Sequence, residues 1–164
     1  MRRLLVIAAA SLAIALVAAG CGGKSSSSSK SASPSPSQTT AGGATIDIRT
    51  SKLGSILVDG SGRTLYLFEK DKGTTSSCYS ACAAGWPPYT TAGAPHAGQG
   101  ASASLLGTTT RTDGKTEVTY HGHPLYYYVG DSKAGDTNGQ GVEAFGAEWY
   151  VVGPAGSKVE GAKS

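Results

Sequence analysis

The sequence predicts an all-β fold, a small sandwich or barrel-like domain built from two related β-repeats. Three observations carry this. Short β-rich runs recur between turn residues in a chain with 24 glycines, and long helical periodicity is absent. A phrase of the form L-Y-x-[FY]-x-x-D is written twice, as LYLFEKD at residues 65–71 and LYYYVGD at residues 125–131. Each copy is followed by a glycine-rich polar loop and then a tryptophan, Trp86 in the first and Trp149 in the second. A unit this short cannot bury its own apolar face, so the two copies are expected to pack together with pseudo-twofold character.

Residues 1–20 read as a secretory signal peptide. Arg2 and Arg3 precede an apolar run, and small residues follow it at 18–20. Cys21 comes next, and VAAGC resembles a bacterial lipobox with Ala18 where leucine is usual. In a lipobox the cysteine thiol receives a diacylglycerol and becomes the new N-terminus. A buried methylene contributes about 0.8 kcal/mol, so two or three palmitate-class chains on Cys21 hold a protein on a membrane without spanning it. The partner implied is therefore the outer face of the cell membrane. Residues 21–44 hold the lipidated cysteine and a Ser/Pro/Gly stretch with no side chain worth burying, expected to be a flexible tether.

The folded domain is expected over residues 45–156, with repeat one at about 45–90, repeat two at about 104–153 and a flexible tail at 157–164. TIDIRT alternates Ile46 and Ile48 with polar residues, and GSILVDG leads into the turn Asp59-Gly60-Ser61-Gly62. RTLYLFEKD then places Leu65 and Leu67 on one face and Tyr66 and Phe68 on the other, so both faces should be covered. Helix is expected only as a turn or two around residues 77–85, where alanines gather. The second copy repeats the scheme: a threonine-rich strand, an Asp113-Gly114 hairpin turn, a strand through Val118 and Tyr120, a His121-Gly122 turn and a tyrosine strand. AEWYVVG is the closing strand.

Composition narrows the function. Removing Arg2 and Arg3 with the leader leaves twelve basic against eleven acidic residues, a net charge of +1. No basic cluster with interleaved aromatics occurs, which argues against nucleic acid as a partner. Setting Cys21 aside leaves Cys78 and Cys82. In an oxidising compartment that pair reads as a disulfide pinning a local turn, with a redox pair or metal ligation as the alternatives.

The repeated phrase supplies the first candidate residues. Tyr66 and Phe68, like Tyr126 and Tyr128, fall on one strand face and read as core, with an aromatic binding groove as the alternative. Asp71 and Asp131 lie where the strands end and read as anchors that accept backbone N–H groups. Tyr127, on the opposite face, stands where the first copy has Leu67 and has no assigned role. Trp86, stiffened by Pro87 and Pro88, and Trp149 read as core or as a sugar- or peptide-binding surface. His121 and His123 at i and i+2 are metal-ligand candidates, with His96 the sole third histidine. Asp136 and Asn138 resemble the start of an EF-hand calcium loop, which then lacks its twelfth-position acid. No serine lies in a nucleophile elbow, no catalytic constellation is recognisable and no cofactor is implied.

Taken together, the lipobox, the tether, LYLFEKD, SSCYSACAAGWPPY and YHGHPLYYYVGDSKAGDTNGQGVEAFGAEWYVV resemble the bacterial secreted-repeat lipoproteins. These carry a repeated Y-x-[FWY]-x-x-D motif, matched here by Tyr66, Phe68, Asp71 and by Tyr126, Tyr128, Asp131. The resemblance implies location and architecture and no established activity. The expected function is a non-enzymatic binding or structural module of the cell envelope, its ligand an envelope protein or a glycan. The alternative is an envelope metal-binding or redox-associated protein.

Overall fold

A computed structural model describes residues 42–161. Cys21, the signal peptide and residues 22–41 of the tether lie outside the described residues. Strands dominate, arranged as three small sheets that pack as a sandwich and do not close into a barrel.

The first hairpin joins β1 (Thr45–Ser51) to β2 (Gly54–Asp59), with Ile46 opposite Asp59, and β4 (His96–Ala97) adds in parallel to the other side of β1. The second hairpin joins β5 (Leu106–Thr110) to β6 (Thr116–Tyr120), and β7 (His123–Pro124) follows. His121 and Gly122 have φ of 50° and 80°, the left-handed pair that a two-residue hairpin turn requires. The third sheet has the order β3-β9-β8, from β3 (Tyr66–Phe68), β8 (Val142–Ala144) and β9 (Ala147–Val151). The one α-helix among the described residues, α1 (Ala81–Gly85), falls inside the expected window.

Burial follows the two-faced reading of β3. Leu65 and Leu67 join a core with Ile46, Leu57, Val118 and Leu125, while Tyr66 and Phe68 join a second core with Ile56, Val58, Trp86 and Trp149. The second phrase splits the same way, Leu125 and Tyr127 to the first core and Tyr126 and Tyr128 to the second. The phrase segments thus lie between two apolar layers.

The two copies are interleaved. Tyr66 and Tyr126 exchange both backbone hydrogen bonds, N–H to C=O at 2.9 and 3.0 Å, across the centre of the domain. The tryptophan segment of each copy pairs with the phrase of the other: Phe68 lies opposite Trp149, and Tyr126 bridges Pro88. The outer bonds match as well, Leu57 N–H to Val152 O at 2.8 Å in one half and Val118 N–H to Tyr89 O at 2.8 Å in the other.

Two expectations need correction. The tyrosine strand is not a strand; only Tyr126 makes bridges, because Tyr127 N–H donates to Pro87 O and Pro87 has no N–H to return, so the ladder stops there. The start of the tail expected at 157–164 is held: Lys158 bridges Val152, and Val159 N–H donates to Val151 O at 2.8 Å, while residues 162–164 lie outside the described residues.

Candidate functional site

The phrases place four side chains in reciprocal bonds. Tyr66 Oη donates to Asp131 Oδ2 at 2.6 Å, and Tyr126 Oη donates to Asp71 Oδ2 at 2.7 Å. Each tyrosine reaches the aspartate of the other copy. The second carboxylate oxygens hold the following loops: Asp71 Oδ1 accepts from Ser77 N–H and Oγ, and Asp131 Oδ1 accepts from Asn138 N–H at 2.9 Å. Burial pushes both carboxyls above their ordinary range. Burial, with the adjoining carboxylates, pushes both phenols far up, so neither acts as a base near neutral pH.

Beside them the rings form a column. Phe68 stacks on Trp149, Trp149 on Trp86 and Trp86 on Tyr128, with centroids 4.0, 4.0 and 4.3 Å apart. Tyr66 meets Trp86 edge-on, and Tyr126 meets Trp149 the same way. Trp86 and Trp149 are 1% and 0% exposed, so these rings are core and line no groove.

One half carries an addition that sequence reasoning missed. Arg111 Nη1 donates to Glu117 Oε2 at 2.8 Å and to Ser76 Oγ at 2.7 Å, and Nη2 donates to Cys78 O at 2.6 Å. Ser76 Oγ shares a hydrogen bond with Tyr126 Oη, so this ion pair adjoins Tyr126–Asp71 and has no counterpart at Tyr66–Asp131. Both side chains are fully buried, and Glu117 Oε1 has no hydrogen-bond partner. Burial raises the Glu117 carboxyl to about 7 despite the guanidinium. The available signal was two opposite charges flanking the Asp113-Gly114 turn, which put them on neighbouring strand ends.

The remaining candidates do not gather. His121 is exposed on its turn, and His123 is lowered by burial and by His121. Asp136 Oδ2 accepts from Ser132 N–H and Oγ and from Lys133 N–H, and Asn138 Nδ2 donates to Gly130 O, so these oxygens and amides serve a turn. Among the described residues no group of three or more histidine, cysteine or acidic side chains could hold a metal. Cys78 and Cys82 form a disulfide that ties α1, through Cys82, to the segment before it. Tyr127 donates to Asp59 Oδ2 at 2.8 Å under the Arg63 guanidinium.

An open concavity lies elsewhere. A notch of about 510 Å³ separates the loop at 92–97, which ends in β4, from β5, and Leu106, Thr108 and Thr116 form its far wall.

A family model described as a secreted repeat of unknown function matches the chain twice, over residues 47–90 and 107–153. The chain belongs to this family. No curated protein and no solved structure matches it. Each matched segment of the secreted repeat holds one L-Y-x-[FY]-x-x-D phrase and one tryptophan of the central column. Membership places the domain outside the cytoplasm, and among the described residues no helix is long and apolar enough to cross a membrane.

Proposed function

We propose that this secreted-repeat protein is a lipid-anchored, non-enzymatic binding module at the outer face of the cell membrane, with Cys21 as its acylation site. One observation carries the reading: the polar groups of the repeated phrase are spent on each other. With Tyr66 bonded to Asp131 and Tyr126 to Asp71, and with the tryptophans sealed in the column, the repeated tyrosines and aspartates have no uncommitted polar group to offer a substrate. It builds a rigid platform, and the notch between β4 and β5 is left open for a partner.

Membrane fractionation with mass spectrometry of the N-terminal peptide tests the anchor. The wild type should sediment with membranes and carry acyl mass on Cys21, and Cys21→Ser should appear in the soluble fraction. A Cys21→Ser protein that stays membrane-bound refutes the anchor. Turnover of any envelope substrate that vanishes in Tyr126→Phe at unchanged Tm refutes the non-enzymatic reading.

A further inference from the structure

We propose that the partner is an extended polypeptide segment of small, uncharged residues that adds as a strand to the free edge of β5. This rests on reading the notch as a binding site and identifies the ligand by its chemistry.

Among the described residues β5 pairs with β6 on one side only. His121 N–H donates to Leu105 O while Leu106 lies opposite Tyr120, which makes Leu106–Tyr120 a non-hydrogen-bonded pair of the antiparallel ladder. Gly107 and Thr109 therefore exchange bonds with β6, and Thr108 turns its N–H and C=O outward. Across the notch, His96 N–H donates to Ala44 O and Gly98 N–H to Ile46 O, so the backbone of Ala97 likewise faces away from β1.

Sheet edges are usually blunted by lysine, proline, a bulge or an inward charge. LGTTT has none of these, and Thr108 and Thr110 are exposed. The wall facing it is mostly glycine and alanine, Gly93, Ala94, Ala97 and Ala103 among them, with Pro95 and His96 as its larger members, so over most of its length another backbone can approach closely. The lining has no Trp, Tyr or Phe on which a sugar could stack, its one ring being the His96 imidazole, and no Asp, Glu, Lys or Arg to pair with a charged ligand. Beside the His96 imidazole and the Thr108 and Thr116 hydroxyls, the notch offers the outward main-chain groups of β5, so an extended main chain fits it, with alternate side chains of the guest seated among the alanines.

The test uses the full mature chain, ¹⁵N-labelled, and a short uncharged peptide of alternating alanine and threonine. In the free protein the Thr108 amide should exchange rapidly. Protection of that amide in the free chain overturns the proposal: at all concentrations it means the chain's own tether fills the edge, and growing with concentration it means a second copy does. Peptide should shift the Ala97, Leu106 and Thr108 amides and slow exchange at Thr108. Thr108→Pro removes the outward N–H without touching the β6 ladder and should weaken binding about tenfold. As a control independent of protein folding, N-methylating one alternate set of peptide amides should abolish binding and methylating the other set should not. Equal behaviour of the two methylated peptides overturns strand addition. If soluble N-acetylglucosamine oligomers shift the notch amides and the peptide does not, the binding site stands and the strand proposal falls; if neither probe does, both fall.

Discussion

Tyr66 and Tyr126 occupy equivalent places, and each sends its phenol into the other half of the molecule. Removing one phenolic oxygen leaves a partly buried carboxylate oxygen without its donor, a loss of about 1–3 kcal/mol. Tyr66→Phe should therefore lower unfolding free energy by about that much in urea. A double-mutant cycle gives the sharper check: Tyr66→Phe should couple to Asp131→Asn and not to Asp71→Asn. Coupling of Tyr66 to Asp71 would contradict the crossed pairing. Glu117 supplies a second residue-scale prediction. In the unfolded chain its carboxyl ionises near 4.5, while the folded protein keeps the proton up to about 7. Between those values the folded state binds more protons, so stability should fall as pH rises through that window, by about 3 kcal/mol in full. Glu117→Gln should flatten this slope in urea titrations from pH 4.5 to 7.5. A slope unchanged by the substitution would show that Glu117 is not its source.

At the scale of elements, the disulfide is a local staple. Cys78 and Cys82 are four residues apart, and closing so short a loop removes little freedom from the unfolded chain, about 2 kcal/mol in the chain-entropy model. Reduction should lower stability by no more than that and leave the near-ultraviolet signal of the tryptophan column in place. Collapse of that signal on reduction would mean that the disulfide organises the column. Elements were legible wherever local sequence decides them: β1 follows alternation, β2 and β9 follow short apolar runs, β5 and β6 follow the Asp113-Gly114 hairpin turn, and the two-faced burial of β3 follows from Leu65, Tyr66, Leu67 and Phe68. The second phrase has the same alternation yet forms no strand, because the residue that should return a bond to Tyr127 is Pro87 and alternation carries no information about the neighbour. For the same reason Asp71 and Asp131 could be recognised as polar anchors, but not as acceptors for the tyrosine of the opposite copy. Arg111 and Glu117 stayed hidden because two charged residues beside an Asp-Gly turn look solvated until the rest of the chain covers them.

At the scale of the whole molecule, the bonds that hold the domain together run between the copies. The central backbone pair joins Tyr66 to Tyr126, the column alternates Phe68, Trp149, Trp86 and Tyr128, and both phenol–carboxylate bonds cross. Within one copy a hairpin remains, and an isolated hairpin is marginal in water. Neither half should therefore fold alone, although each carries a complete match to the secreted repeat. Cutting between Ala101 and Ser102 separates the copies and breaks no strand. The fragments 42–101 and 102–161 should each lack near-ultraviolet dichroism and protected amides. Mixed in equal amounts, they should recover both, with a midpoint that depends on concentration because association has replaced a covalent link. Recovery should require one phrase from each side: a fragment 42–101 carrying Tyr66→Ala should fail to complement its partner, since it forfeits the edge contact with Trp86 and the bond to Asp131 at once. A half that folds cooperatively by itself would mean that the repeat is an independent domain and that the crossed contacts are an interface between two finished units.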